Sequence, residues 1–157
     1  YSTSICKKCS HEMISGENSI LWKGGITKLH HWLRGKINKW KNDSIIACNG
    51  KCVITGEDYD DVHHLYSFDL ILDEVLKETG VSVKSEIKDY TQEELDILEE
   101  KIIEIHNRYP LGVCLKKELH ELFHQIYGYG KNTPEQFEEF KQRYKNGEFD
   151  ELIGEVV

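Results

Sequence analysis

The stretch Leu115-Lys116-Lys117-Glu118-Leu119-His120-Glu121-Leu122-Phe123-His124 sets two histidines four residues apart within a run of helical apolar spacing. Residues at i and i+4 share a helix face, so both imidazoles can address one ion. The same residues spell His120-Glu121-x-x-His124, the pattern in which a zinc protease holds its metal between two histidines and uses the glutamate as general base. That reading needs a third ligand, for which Glu138 and Glu139 are available downstream. What surrounds the helix decides whether Glu121 or another residue carries the chemistry.

Working outward, Leu111-Gly112-Val113-Cys114-Leu115 reads as a short apolar strand leading directly into the helix, which Gly128 and Gly130 end near Tyr127. Thr133 then caps a last helix with Pro134 at its first position and Glu135 in its first turn. Gln136, Phe137, Phe140 and Tyr144 give that helix its inner face, and the acidic tail after Gly147 is read as peripheral. Upstream, Lys51 to Gly56 reads as a short strand ending in a glycine turn, and Glu57 to Asp61 as an acidic loop. Val62-His63-His64-Leu65-Tyr66 follows as a second strand. Side chains alternate across an extended chain, so His63 and His64 point to opposite sides and cannot do the same job. Between the strands, a helix is expected from Asp69 to Glu78, stopped by Gly80. A second, opened by a Thr91–Glu94 capping box, runs to Asn107 and ends before Pro110. Both are highly charged and carry no site chemistry, which reads as an insertion or a supporting layer over residues 69–107.

The N-terminal third differs in character. The net charge of the chain is -8, yet residues 1–52 hold 9 Lys+Arg against 3 Asp+Glu, and residues 53–157 hold 11 against 25. Such asymmetry permits a local phosphate-binding surface on an acidic body. Thr27 can cap a helix from Lys28 to Lys41 whose apolar stripe is Leu29, Trp32, Leu33, Ile37 and Trp40. Lys28, Arg34, Lys36, Lys39 and Lys41 lie mostly off that stripe, as candidate nucleic-acid contacts or as an ordinary solvated face. His30 and His31 have no obvious co-ligands. Five cysteines without secretory context argue against a disulfide framework. Cys6 and Cys9 have the spacing of a zinc knuckle, and Cys48 and Cys52 could complete a structural zinc site, or missing upstream residues could, or Cys48 and Cys52 are simply small apolar residues.

In order, the chain offers a strand with His63 and His64, a second strand, and a helix with His120 and His124. This set resembles the HNH nucleases, the ββα-metal class, and in particular phage- or intron-encoded homing-type endonucleases. The resemblance rests on Cys52-Val-Ile-Thr-Gly56, Val62-His-His-Leu-Tyr-Ser-Phe68, Leu111-Gly-Val-Cys-Leu115, His120-x-x-x-His124 and Tyr127-Gly-x-Gly-x-Asn-Thr-Pro-Glu-Gln-Phe137, with Trp22-Lys-Gly-Gly-Ile-Thr27 ahead of them. It implies an α+β fold: a two-stranded antiparallel hairpin plus helix, with the helical insertion and flanking helices around it. The implied organisation is an N-terminal zinc-knuckle and basic-helix region over 1–51, a nuclease domain over 52–147 and an acidic tail over 148–157.

The resemblance further implies that His63, His120 and His124 hold a divalent ion and that His64 is the general base for phosphodiester hydrolysis on double-stranded DNA. Three neutral imidazoles favour Zn²⁺, Ni²⁺ or Mn²⁺, and the family admits Mg²⁺. In such nucleases an asparagine ahead of the helix orients the base. Near Leu111 this chain has none; Asn107 is the nearest, and the orienting role stays unassigned. The implied protein is a monomer, cytoplasmic in a bacterial or phage-infected cell, with no membrane segment. Two other readings stay open here: a non-catalytic zinc-containing DNA-binding module, and the metalloprotease built on His120, Glu121 and His124.

Overall fold

A computed structural model describes residues 26–154 of the chain. Cys6, Cys9 and residues 22–25 of the tryptophan-glycine stretch lie outside the described residues, as does the zinc knuckle expected there. The fold is α+β. The helices are α1 (Ile26–Arg34), α2 (Asn38–Ala47), α3 (Phe68–Thr79), α4 (Gln92–His106), α5 (Lys117–Tyr127), α6 (Pro134–Lys145) and α7 (Asp150–Gly154). The strands β1 (Asp61–His63) and β2 (Val113–Leu115) pair antiparallel, with Asp61 opposite Leu115, Val62 opposite Cys114 and His63 opposite Val113. Among the described residues no helix is long and apolar enough to cross a membrane.

Local chemistry sets most boundaries. The Thr91–Glu94 capping box opens α4 as its spacing predicts, and Gly80 ends α3 in the left-handed conformation. Ser67 caps α3, its side chain accepting from the Leu70 N–H, so the helix starts one residue earlier than the sequence suggested. Thr133 and Gln136 form a second capping box over Pro134. At the start of α5, Lys116 provides no cap; Asp60 accepts from the Lys117 N–H at 3.0 Å instead, a carboxylate placed on the positive end of the helix dipole.

Four expectations are corrected. The basic helix is two helices: Gly35 interrupts it, its N–H bonding back to Trp32 O at 3.1 Å, and Asn38 Nδ2 donates to Gly35 O before α2 begins. The helix also starts at Ile26, so Thr27 lies inside it rather than capping it. Lys51 to Gly56 is a reverse turn beside β2, not a strand: Lys51 bridges Asp58 and the Val53 N–H donates to Cys114 O. The tail is not wholly peripheral, since Phe149 is buried and stacks against Phe140 at 5.3 Å.

The two-stranded sheet lies between two cores. One gathers Leu29, Leu33, Ile37 and Trp40 of the first two helices and their connection with Phe68, Ile71, Val75, Leu98, Ile102 and Ile105 of the inserted helices. The other gathers Leu115, Leu119, Leu122 and Phe123 with Phe137, Phe140 and Phe149. The insertion is therefore a packing partner of the N-terminal helices as well as a connection between strands. Gly112 joins the two sides. A Cβ there would sit 2.7 Å from the Trp40 ring, 2.8 Å from His63 O and 2.9 Å from Val62 Cγ1. Its N–H donates to Ser44 Oγ at 2.9 Å, and Ser44 in turn donates to Trp40 O.

Gly112→Ala should therefore lower stability by about 1–3 kcal/mol, the usual cost of overpacking a filled interior. Denaturant unfolding measures it. An unchanged midpoint would mean that Trp40 and the strand move apart without cost.

Candidate metal centre

Strand β1 fixes the site because its side chains alternate. Asp61 and His63 point to the side of α5, and His64, just past the strand, turns to the other side. His63 is 3% exposed and packs its ring edge-on against Phe123 at 4.5 Å. Its Nε2 is buried with no hydrogen-bond partner among the described residues. Helix α5 presents His120 and His124 one turn apart on the same side. One ring nitrogen from each of His63, His120 and His124 lies within 4.8 Å of the other two, so the three could hold a metal ion.

The hydrogen bonds fix which atoms are offered. His124 Nδ1 lies 2.9 Å from Gly128 O, and a carbonyl only accepts, so Nδ1 carries the proton and Nε2 the lone pair in the neutral ring. His120 Nδ1 lies 3.2 Å from the Asp61 carboxylate, which assigns its Nε2 the same way. The two Nε2 atoms are 3.1 Å apart. Two lone pairs held face to face beside a third, orphaned imidazole repel each other unless a cation lies between them. Ring nitrogens bound to a zinc ion at about 2.0–2.1 Å would have similar mutual distances. Carboxylate and carbonyl partners on the far nitrogens are the usual second layer of such sites. The donor set fits a divalent ion.

Burial, then the neighbouring His120 and His124, push the His63 pKa down to about 3. Burial also lowers that of His124. Both rings are thus neutral near pH 7, as a ligand must be. The shell extends outward. Asn132, buried, donates to Gly128 O at 3.2 Å, and Tyr129 stacks on His124 at 4.4 Å.

His64 faces the other core. It stacks on Trp40 at 4.0 Å with 19° between planes, and its Nε2 lies 3.4 Å from His106 Nε2. Burial, with His106 and Arg34 next, lowers its pKa to about 2, so the free ring is neutral. A cleft of about 450 Å³ is lined by His63, His64, His120 and His124 together with Arg34 and Lys117.

The other predicted residues divide. Arg34 and Lys41 line a second hollow beside His64, and Arg34 forms no ion pair among the described residues, its guanidinium lying 4.7 Å over Phe68. Lys28, Lys36 and Lys39 are ion-paired with Glu86, Glu99 and Asp43, so their charge is partly answered within the protein. Cys48 and Cys52 are free thiols; Cys48 Sγ accepts from the Cys114 N–H at 3.4 Å. Glu138 pairs with Lys141 and Glu139 accepts from Tyr127, and the third candidate ligand atom beside His120 and His124 is a ring nitrogen of His63, not a carboxylate oxygen of either glutamate. Asn107 caps the end of α4 and is exposed. Asp61 was read as part of an acidic loop; its i, i+2 relation to His63 was the signal that it faces the same side.

Adding Zn²⁺ or Mn²⁺ at about 100 times its dissociation constant should raise stability by about 2.7 kcal/mol, reversed by EDTA. His63→Ala should abolish that gain, and Asp61→Asn should weaken metal affinity about 10- to 100-fold. Thermal unfolding and calorimetric titration measure both. A metal response unchanged by His63→Ala would rule out this centre.

No family model matches the chain, and no solved structure matches it. A segment of 83 residues is 32% identical to the SPbeta prophage-derived uncharacterized protein YomD of Bacillus subtilis (strain 168), covering 52% of this chain and 30% of that protein. The match thus spans under a third of the length of that curated relative, whose name states a prophage origin and no activity.

Proposed function

We propose that this protein is a metal-dependent DNA endonuclease of the HNH type, its hairpin and α5 acting as a ββα-metal core. The observation that carries the reading is the division of labour at β1: His63 converges with His120 and His124, while His64 reaches the same cleft from the other side of the strand. A structural zinc site would account for three of these histidines and would leave the presence of the fourth in the same cleft unexplained.

His63, His120 and His124 would hold the ion. When bound, a divalent cation there supplies positive charge against the scissile phosphate and the leaving 3′ oxygen. His64 accepts a proton from the attacking water as its oxygen bonds to phosphorus. The bond from phosphorus to the 3′ oxygen breaks, and solvent protonates the leaving oxygen. A pKa of about 2 in the free protein is low for a base, and an anionic phosphodiester beside the ring raises it. Arg34, beside His64 and without an ion-pair partner among the described residues, is placed to bind a backbone phosphate. The similarity to a prophage protein is compatible with a phage-encoded nuclease. Residues 52–147 would form the nuclease domain.

On supercoiled plasmid with Mn²⁺, Mg²⁺, Ni²⁺ or Zn²⁺, the protein should convert substrate to nicked circles. His64→Ala should slow this about 10²- to 10⁴-fold while keeping the metal-induced gain in stability. Glu121→Gln should leave nicking intact, whereas a protease using His120-Glu121-x-x-His124 would lose its activity. Arg34→Ala should weaken DNA binding and flatten its salt dependence. Nicking by His64→Ala at the normal rate would remove the base assignment, and no nicking with any of the four ions would remove the nuclease reading.

A further inference from the structure

Resting on the assignment of His64 as base, we infer that His106 is its positioning residue, fixing the ring so that Nδ1 is the nitrogen that takes the proton. No residue near Leu111 fills that role, and Asn107, the nearest asparagine, is exposed at a helix end. His106 is 1% exposed and sits in a box made by Trp40, His64 and Phe68, with ring centroids 5.5, 5.5 and 5.7 Å away.

The hydrogen bonds impose a direction. His106 Nδ1 lies 2.7 Å from Ile102 O, one turn earlier in α4. The carbonyl can only accept, so His106 Nδ1 is the donor. A neutral imidazole has one N–H, which leaves His106 Nε2 as an acceptor. Its neighbour at 3.4 Å is His64 Nε2, which must then be the donor. In its neutral form His64 then carries its lone pair on Nδ1. The reverse arrangement sets two lone pairs against each other in an aromatic box, and directs the basic nitrogen at the buried His106 side chain. Trp40, stacked at 19° on the ring, holds its plane while the His106 contact sets its rotation within that plane. The inserted helix α4 thus does more than support the fold: its last residue reaches the strand that carries the base.

The state of each ring can be read without activity. Long-range ¹H–¹⁵N correlation on the full chain with ¹⁵N-labelled histidine should show His64 protonated at Nε2 and His106 at Nδ1. His64 protonated at Nδ1 would overturn the inference. His106→Phe keeps an aromatic ring but removes the acceptor, and should lower kcat for nicking about 10- to 100-fold with KM within about twofold. His106→Gln, whose amide oxygen can accept from His64, should recover part of that loss. An unchanged kcat in His106→Phe, or equal losses in both variants, would contradict a positioning role. If the native protein nicks no DNA, the nuclease reading falls, while the tautomers of His64 and His106 still decide whether this relay exists.

Discussion

The alternation of side chains along β1 is the constraint on which the site depends. His63 and His64 are neighbours in sequence, and an extended backbone sends them apart. The two-stranded sheet lies between two separate cores, so each histidine enters a different environment: His63 meets Phe123 and the α5 histidines, His64 meets Trp40, Phe68 and His106. A one-residue slip in the pairing of Asp61 with Leu115 would exchange them. The fit of Gly112 against Trp40 and the strand backbone supports that register, because a Cβ there would force its neighbours to shift.

The two environments treat imidazole differently. On the α5 side, Asp61 and Gly128 O take the Nδ1 protons of His120 and His124 and turn two lone pairs inward, where His63 Nε2 has no partner among the described residues. An unsatisfied buried polar group costs about 1–3 kcal/mol, and converging lone pairs add repulsion. Stability given up in this way is recovered when a cation binds, and that couples metal affinity to folding. On the other side, the ring of His64 is satisfied by a neutral neighbour and enclosed by aromatic faces. Its environment favours an uncharged ring.

Much of this was legible in the chain. The i, i+4 pair at His120 and His124, the His63–His64 doublet, the Thr91 and Thr133 caps and the inserted helices follow from spacing and side-chain chemistry, and all four histidines line one cleft. The missed features depend on tertiary contact. Gly35 breaks a helix whose apolar stripe runs on through Ile37 and Trp40, so periodicity alone does not reveal the break. Asp60 caps α5 from 57 positions away in sequence. Lys28 and Lys36 read as free basic charge until the fold brings Glu86 and Glu99 to them. His106 closes an inserted helix and shows no motif; its place beside His64 exists only once α4 packs against α1 and α3.

Crystals grown with Mn²⁺ and measured at the manganese absorption edge would test the central claim most directly. The account predicts one anomalous peak bound by ring nitrogens of His63, His120 and His124, with His64 outside its coordination shell. A peak coordinated by His64, or one held by Glu121 without His63, would contradict it.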